Sequence, residues 1–267
     1  MRTMTSPAND RRQRVQAAET GLAILKALTR LGGAASLTAI GNEVGESTAK
    51  VHRYLASFVQ EGFVVQNPQT LQYHLGTESI RLGLAALRQC DPVRLGEGAL
   101  LRMRESLETT CFIAVMGNIG PTVLRMEEPP LPVTVNIRPS SVLPLLWSAT
   151  GQVFLAFTDN ADIQQRARQE YAAGSADQRA LIPNGPQAIA ALCGTVRAQG
   201  CAIVRDMLLR GISAVSAPIF DANGHVSAVL TALGASSGFD FRLDGKVCSQ
   251  IIGEAASISA AMGYLSS

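Results

Sequence analysis

The order of helix starts and stops in the first third of the chain is the strongest constraint on its fold. Ser36 is suited to cap a short helix that Gly45 ends. Ser47, two residues further on, is suited to cap a longer helix that Gly62 ends. Apolar residues recur at helical spacing in both segments, namely Leu37, Ile40, Val44, Val51, Leu55, Phe58 and Val59. The sequence therefore predicts two amphipathic helices that follow one another almost at once.

Patterns on either side of this pair complete a small domain. Apolar spacing predicts a helix from Val15 to Leu31, and two glycines follow it. After the third helix, two short strand-like runs flank a turn in which Asn67 and Pro68 favour a reversal of the chain. Three helices followed by a hairpin predict a winged helix-turn-helix.

The chain beyond this domain is organised differently. A helical pattern from Glu78 to Gln89 is predicted to be a linker helix, because Asp91 and Pro92 then break it. The patterns that follow are helix 93–108, hairpin 111–128, extended residues 132–137, helices 150–158, 162–173 and 187–199, hairpin 211–234 and helix 244–262. Strict strand-helix alternation and a glycine-rich phosphate loop are both missing, which favours an antiparallel sheet flanked by helices. The predicted fold class is α+β.

These patterns divide the chain into four parts: a disordered leader over 1–14, a winged helix-turn-helix over 15–76, a linker helix over 77–92 and a second domain over 93–267. No apolar run approaches the roughly 18 residues that a membrane span requires. The basic N-terminus is not followed by the apolar core of a secretory signal. Five cysteines without a CxxC pair indicate buried, reduced thiols. We therefore expect a cytoplasmic protein that does not contact a membrane.

Charge is distributed unevenly along the chain. Residues 1–90 contain 10 Lys and Arg against 6 Asp and Glu, whereas residues 91–267 contain 13 against 15. The front part therefore carries a net charge of +4 and the rest −2, since 10 less 6 is 4 and 13 less 15 is −2. A basic front part suits a polyanionic partner.

The third predicted helix presents a narrow cationic face. On a helical wheel, the residues opposite its apolar side are Ala49, Arg53, Ala56 and Gln60. Alanines let a helix approach the major groove, Arg53 can pair with a guanine, and neighbouring polar groups can hold phosphates. The predicted DNA contacts are Ser47, Thr48, Lys50, His52, Arg53 and Ser57. The alternative is a face whose charges only maintain solubility, but the order of short helix, tight turn, cationic helix and wing favours DNA binding.

The same stretch resembles a known family. The segment LTAIGNEVGESTAKVHRYLASFVQEGFVVQN is similar to the winged helix of IclR-type transcriptional regulators, with matches at His52, Arg53, Leu55 and Gly62. Residues 46–50 depart from the family's usual Leu-Pro-Lys-Ser-Thr. The resemblance implies the same fold with different base preferences, so His52 and Arg53 carry over more directly than Thr48 or Lys50.

A second segment, LPLLWSATGQVFLA, resembles the family's other signature, with matches at Leu143, Pro144, Leu145, Ser148, Ala149, Gly151, Leu155 and Ala156. Independently of the family, a Ser-Ala-Thr-Gly turn that opens a helix presents free backbone N–H groups and the positive end of a helix dipole. Such a turn suits the carboxylate of a ligand. The alternative is that Ser148 only caps the helix.

A third segment, GISAVSAPIFDANGHVSAVLTALG, is similar to a hairpin of the family and extends the resemblance over residues 15–264. In this family the ligand lies between the second and third segments, in a GAF-like domain. The predicted effector-binding residues are Arg138, Leu143, Trp147, Ser148, Ala149, Thr150, Val204, Ile212, Ala214 and Thr231. Val204 and Ala214 stand where some members carry an acidic residue and a cysteine, which implies a roomier, more apolar pocket for an aromatic or larger carboxylate.

Two of these residues have a plain alternative. Arg138 can pair with a ligand carboxylate through two hydrogen bonds, or it can be a solvated loop arginine. Trp147 can stack on a ligand, or it can be structural.

The sequence contains little that an enzyme would need. His52, His74 and His225 fall in the third helix, the wing and a hairpin turn, so none is well placed as a base in the second domain. No nucleophile elbow, zinc motif or phosphate loop occurs. We therefore expect no enzymatic activity, no catalytic residues, no cofactor and no metal.

Together these features predict a transcriptional regulator that a small organic acid controls. Its partners would be double-stranded operator DNA, a small carboxylate effector and, as the family implies, further copies of the chain in a dimer or tetramer. The linker helix would transmit the effect of the ligand. The alternative is a ligand-binding scaffold that does not bind DNA.

Overall fold

The structure, a computed structural model, describes residues 14–130, 137–182 and 186–265. The chain divides into two compact units, one ending at Gln89 and the other beginning at Cys90. Two predicted segments lie outside the described residues: the leader, apart from its last residue, and the extended run over 132–137, apart from Ile137.

The first unit combines helices with a small sheet. Its elements are α1 (Gln16–Arg30), β1 (Ala34–Ala35), α2 (Leu37–Val44), α3 (Thr48–Gln60), β2 (Val64–Gln66), β3 (Tyr73–Leu75) and α4 (Thr77–Leu87). The strands pair antiparallel in the order β1-β3-β2. We call β2, β3 and the turn between them, residues 64–75, the wing. The predicted winged helix-turn-helix is confirmed.

The turn between α2 and α3 is fixed by local signals. Ser36 Oγ accepts a hydrogen bond from the Ala39 N–H at 3.2 Å, and Ser47 Oγ accepts one from the Lys50 N–H at 3.4 Å. Gly45 ends α2 with a φ of 70°, a left-handed conformation that glycine adopts at little cost. Both predicted caps and the predicted break are therefore confirmed.

One apolar cluster holds the first unit together. Each element from α1 to β3 contributes at least one of its buried members, which are Ile24, Leu28, Ala35, Ile40, Val51, Leu55, Val64 and Tyr73. Burying a large apolar side chain contributes about 1.5–3 kcal/mol, so this cluster fixes where α3 lies. In contrast, none of the residues of α4 is buried.

The second unit is built on a sheet. Its elements are α5 (Pro92–Leu107), β4 (Thr110–Met116), β5 (Pro121–Glu127), α6 (Ala149–Phe157), α7 (Ala161–Ala173), α8 (Ala176–Leu181), α9 (Pro186–Gln199), β6 (Ala202–Arg205), β7 (Ile212–Phe220), β8 (Val226–Ala235) and α10 (Lys246–Ala261). Within the described residues, five strands pair antiparallel in the order β5-β4-β8-β7-β6. Of the helices described, none is long and apolar enough to cross a membrane.

Both faces of this sheet are covered. Along β4, Cys111 and Ile113 join an apolar cluster with α5 and α10, whereas Phe112 and Ala114 lie on the opposite face. Helices α6, α7 and α9 form a second cluster that packs on that opposite face. The period-two alternation of strand side chains thus produces a layer of helices on each side of the sheet. The predicted α+β class is confirmed.

Three short elements, β1, β6 and α8, were not indicated by the sequence patterns. β1 has two residues and β6 has four, so alternation is too short to recognise there. Helix α8 has six residues, but it begins with a capping box of Ser175 and Gln178. That box is a local signal that could have identified the helix.

Candidate nucleic-acid interface and ligand cavity

The side of α3 that faces away from the core is exposed, and its two alanines keep it narrow. Val51 and Leu55 are fully buried on one side of the helix. The exposed residues on the remaining surface include Ala49, His52, Arg53, Ala56, Ser57 and Gln60. Because alanine ends at Cβ, the helix backbone is accessible on both sides of Arg53. The predicted orientation of α3 is therefore confirmed.

Arg53 is available for a ligand outside the chain. Its guanidinium has no hydrogen-bond or ion-pair partner among the described residues, so its five N–H donors remain unused there. His52 beside it is also exposed. Ser57, in contrast, donates its hydroxyl to the Arg53 carbonyl at 3.3 Å and is tied back to the helix.

Two of the predicted phosphate contacts already serve the start of α3. Ser47 Oγ caps the helix, and Lys50 Nζ lies 2.6 Å from Glu46 Oε1. The side chains of Lys50 and Glu46 are 33% and 31% exposed, so the pair contributes at most about 1 kcal/mol. Lys50 would have to exchange Glu46 for a phosphate, and this exchange costs little. Thr48 is exposed.

A cavity in the second unit lies between the sheet and the start of α6. Its empty volume is about 410 Å³, including the space at its mouth. It is lined by Phe112, Ile137, Leu143, Ser148, Ala149, Thr150, Val204, Leu208, Leu209, Ile212, Ala214, Thr231 and Leu233. Eight of the ten predicted effector-binding residues are in this lining.

Three buried hydroxyls form a chain at the cavity. Thr150 Oγ1 lies 2.9 Å from Thr231 Oγ1, which lies 2.8 Å from Ser216 Oγ. All three residues are at most 1% exposed. Ser216 and Thr231 face each other across β7 and β8, and Thr150 reaches them from α6. A hydroxyl can donate and accept, so this chain can adapt to an oxygen of a ligand.

The start of α6 offers unpaired backbone donors to the cavity. Ser148 Oγ accepts the Gly151 N–H at 2.9 Å and donates to the Pro144 carbonyl at 2.6 Å. The N–H groups of Ala149 and Thr150 have no hydrogen-bond partner among the described residues, and both residues line the cavity. The positive end of the helix dipole lies at the same place. Ser148 therefore caps α6, and two N–H groups of the same turn remain without a partner among the described residues.

Glu170 of α7 holds the loop that leads into α6. Its carboxylate oxygens accept the N–H groups of Leu145 and Leu146, each at 2.9 Å. This contact joins residues 24 and 25 positions apart, and no local pattern in the sequence indicates it.

A second loop, residues 206–211, brings Leu208 and Leu209 to the cavity. Asp206 Oδ1 accepts the Gly211 N–H at 2.7 Å and the Ser236 hydroxyl at 2.8 Å. These hydrogen bonds lower the pKa of Asp206, and the one from Ser236 has the largest effect. No sequence pattern indicated either leucine, because only the folded loop places them at the cavity with α6.

Arg138 and Trp147, which were also predicted to bind the effector, are not among the residues that line the cavity. Arg138 Nη1 lies 3.3 Å from Glu128 Oε1 and donates to the Ile137 carbonyl at 2.9 Å, with a side chain that is 54% exposed. Trp147 is 5% exposed and packs in the apolar cluster of α6, α7 and α9. Within the chain, Arg138 thus makes charged and backbone contacts, and Trp147 makes core contacts.

Other site chemistry is limited. Among the described residues, no three His, Cys, Asp or Glu side chains come together as a metal site. All five cysteines are outside disulfides, and four of them are buried.

Comparison with known proteins shows which protein family the chain resembles. Residues 17–68 match the IclR helix-turn-helix domain, and residues 86–260 match the C-terminal domain of the bacterial transcriptional regulator IclR. The chain is 24% identical to the HTH-type transcriptional regulator BhcR of Paracoccus denitrificans, over 82% of this chain and 77% of that protein. It is 25% identical to the Pca regulon regulatory protein of Pseudomonas putida, over 79% of this chain and 71% of that protein.

A solved structure agrees with these matches. The crystal structure of Pseudomonas aeruginosa HmgR matches with a TM-score of 0.85 and 40% sequence identity, covering 95% of this chain and 100% of that one. The two family matches and this structure confirm the predicted resemblance. The chain therefore belongs to the IclR family of DNA-binding transcriptional regulators.

Proposed function

We propose that α3 enters the major groove of operator DNA and that Arg53 forms two hydrogen bonds with a guanine. The observation that carries this proposal is the exposed face of α3, where an arginine without a partner among the described residues stands between two alanines. The remaining predicted contacts, Ser47, Thr48, Lys50, His52 and Ser57, would position the helix on phosphates and sugars. A protein that acts on operator DNA would work in the cytoplasm, by binding and without a catalytic step.

The test of this proposal uses a labelled duplex that the wild-type protein selects from a random-sequence library. Arg53→Ala should weaken binding by about tenfold or more and relax the preference at one base pair. Arg168→Ala removes an arginine of α7 that is also exposed and should leave binding unchanged. Lys50→Ala should weaken binding to all duplexes alike. It should also reduce the slope of log affinity against log salt concentration by about one, as expected for the loss of one phosphate contact. Unchanged binding by Arg53→Ala would favour the alternative of a scaffold that does not use α3.

The cavity is proposed to bind a small organic acid. The N–H groups of Ala149 and Thr150 and the dipole of α6 suit a carboxylate, and the hydroxyl of Thr231 can bind a further oxygen. Phe112 and Val204 form part of an apolar lining that suits an aromatic ring or a longer chain better than a two-carbon acid.

Titration with benzoate, phenylacetate and glyoxylate tests this assignment. The fluorescence of Trp147 can report binding, because this residue precedes Ser148 in the loop that opens α6. We expect a saturable change with the aromatic acids and a weaker response in Thr150→Val. Thr195→Val, an exposed threonine on α9, is the matched control. A response to glyoxylate alone would contradict the proposed size of the ligand.

Helix α4 is proposed to join two copies of the chain. Ile80, Leu84 and Leu87 recur at helical spacing and are 60%, 50% and 48% exposed. Pairing of such stripes would bury them and present two α3 helices to two half-sites, as a two-fold dimer requires. A tetramer would follow from pairing of dimers. The effector can then change DNA affinity only if the cavity prefers one arrangement of the dimer.

A further inference from the structure

We propose that Leu208 sets the length of the acid that the cavity accepts, and that Asp206 is the positioning residue that holds Leu208 in place. This inference rests on the proposed binding of a small organic acid and deepens it. It depends on a second cleft beside the cavity, on the place of the loop over 206–211 along the sheet, and on the hydrogen bonds of that loop.

A wide cleft lies beside the cavity. We call it the outer cleft, and its lining residues fall within 175–181, 205–211 and 236–237. Its empty volume is about 1550 Å³, open solvent included. Among the described residues, Leu208 is the one residue that lines both the cavity and the outer cleft. Leu208 therefore separates the two spaces.

The loop lies at the end of the cavity opposite Thr150. Side chains at every second position of a strand share a face, and along β7 this face includes Ile212 and Ser216. Ser216 Oγ contacts Thr231 Oγ1, which in turn contacts Thr150 Oγ1 at the start of α6. Ile212, which directly follows the loop, is four residues from Ser216, or roughly 13 Å along the strand. An acid whose carboxylate binds at the start of α6 therefore extends toward Leu208.

Asp206 holds the loop at its base. Its Oδ1 accepts the Gly211 N–H at 2.7 Å, which joins the two ends of the loop. The same oxygen accepts the Ser236 hydroxyl at 2.8 Å, and Ser236 Oγ lies 2.9 Å from the hydroxyl of Ser213, which is fully buried. Because Ser236 gives its proton to the carboxylate, Ser213 donates to Ser236. The loop is thus connected through Asp206 to a buried residue of β7.

The backbone at Asp206 suits this role. Its φ is 55°, in the left-handed region that aspartate and asparagine accept more readily than most residues. Its N–H donates to the Ile212 carbonyl at 2.9 Å. Leu208, in contrast, is 36% exposed and belongs to none of the apolar clusters of the described residues. Asp206 therefore fixes the loop, whereas Leu208 can be shortened with little loss of core packing.

The two sides of Leu208 differ in chemistry. The cavity is lined mainly by apolar side chains, whereas the outer cleft contains two arginines and two aspartates. Arg210 Nη2 lies 3.4 Å from Asp177 Oδ2, with side chains that are 90% and 85% exposed, so water surrounds this pair. The far end of an apolar acid gains nothing by leaving the cavity for such a cleft. The wild-type protein should therefore prefer an acid that ends before Leu208.

The experiment measures the affinity for benzoate, phenylacetate and 4-phenylbutanoate by isothermal titration calorimetry. We expect the wild type to bind 4-phenylbutanoate at least about tenfold more weakly than phenylacetate, because Leu208 blocks the longer chain. Leu208→Ala should bind these two acids within about threefold of each other, since the cavity then opens into the outer cleft. Leu181→Ala is the matched control, because Leu181 is 50% exposed and lines only the outer cleft of the two spaces. It should keep the wild-type ratio.

Two variants of Asp206 test its positioning role. Asp206→Ala removes the acceptor of both hydrogen bonds and should narrow the ratio of the two affinities, as Leu208→Ala does. Asp206→Asn retains an oxygen acceptor and a residue that tolerates a positive φ, so it should restore the wild-type ratio. A residue that only supported the fold would lower the thermal midpoint without changing this ratio.

Several outcomes would overturn the inference. A wild-type ratio in Leu208→Ala, with phenylacetate still bound, would reject the role of Leu208 and retain the cavity. Equal affinity of the wild type for phenylacetate and 4-phenylbutanoate would do the same. A wild-type ratio in Asp206→Ala would reject the positioning role, and a narrowed ratio in Leu181→Ala would assign the effect to the outer cleft as a whole. If the wild type bound none of the acids, the proposed acid site would be rejected, and this inference with it.

Discussion

At the scale of single residues, the hydroxyls of Thr150, Thr231 and Ser216 form a chain at the cavity. Each of them needs a neighbouring hydroxyl as its buried hydrogen-bond partner. A buried polar group that loses its partner costs about 1–3 kcal/mol, because water cannot replace the hydrogen bond. Thr231 occupies the middle of the chain and contacts both other hydroxyls.

Replacing Thr231 with valine keeps the shape of the side chain and removes its hydroxyl. We expect Thr231→Val to lower the free energy of unfolding by about 1–3 kcal/mol, measured by urea denaturation, because two buried hydroxyls lose a partner. Thr195→Val makes the same change on the exposed side of α9 and should cost less than about 0.5 kcal/mol. Equal losses in the two variants would contradict a structural role for the hydroxyl chain.

A buried thiol predicts how stability changes at alkaline pH. Burial raises the pKa of Cys111 from 9.0 to about 12, so above pH 9 the unfolded chain loses this proton while the folded chain keeps it. The contribution to stability is complete below pH 9 and is lost as pH rises toward 12, by about 1.4 kcal/mol per pH unit. Urea denaturation between pH 8 and 11 should therefore show a steeper loss for the wild type than for Cys111→Ala. Parallel curves would contradict the prediction.

At the scale of elements, the start of α6 is built around one close approach. A Cβ atom at Gly151 would lie 2.5 Å from Leu145 Cα and would also collide with the Pro144 carbonyl. Both of these atoms belong to the backbone, so neither can move aside as a flexible side chain would. The loop held by Glu170 and the first turn of α6 therefore require glycine at position 151.

Gly151→Ala should separate the loop from α6 and disturb the donors that face the cavity. We expect it to lower the free energy of unfolding by about 1–3 kcal/mol and to weaken binding of an aromatic acid. Gly194→Ala is a sharp control, because a Cβ at Gly194 in α9 meets nothing within 4 Å. That variant should gain about 0.5–1 kcal/mol, since alanine is the better helix former. A neutral Gly151→Ala would show that the loop can shift freely.

Helices and hairpins were predicted well where their signals lie within a few residues. The caps of Ser36 and Ser47 and the glycines after them are such signals, and the structure confirms them. The strands β1 and β6 were missed because two to four residues hold too little pattern, whereas α8 was missed although its capping box is a local signal.

At the scale of the whole molecule, the exposed stripe on α4 makes the state of assembly testable. Ile80, Leu84 and Leu87 lie on one side of the helix, whereas Leu82 projects from the other side and is 64% exposed. Leu84→Glu should reduce the molar mass measured by light scattering and weaken binding to the selected duplex. Leu82→Glu adds the same charge and should do neither. Equal behaviour of the two variants would contradict dimerisation through this stripe.

The sequence by itself determined the winged helix-turn-helix, the exposed face of α3 and most elements of the second unit. These features depend on caps, turns and apolar spacing, which act between residues at most a few positions apart. It also indicated eight residues of the cavity lining through the family resemblance. The DNA and effector contacts assigned to individual residues stay predictions.

Only the tertiary structure decided which side chains meet. Phe112 reaches the cavity because β4 pairs with β8 and places it opposite Thr231, and Leu208 reaches it through a folded loop. Trp147 instead entered the core, and Arg138 paired with Glu128. Such contacts join residues that are distant in sequence, and they depend on strand register and on competition for core space. No local pattern in the sequence reports that competition. The sequence could therefore indicate that a pocket exists, whereas the residues that line it depend on the tertiary structure.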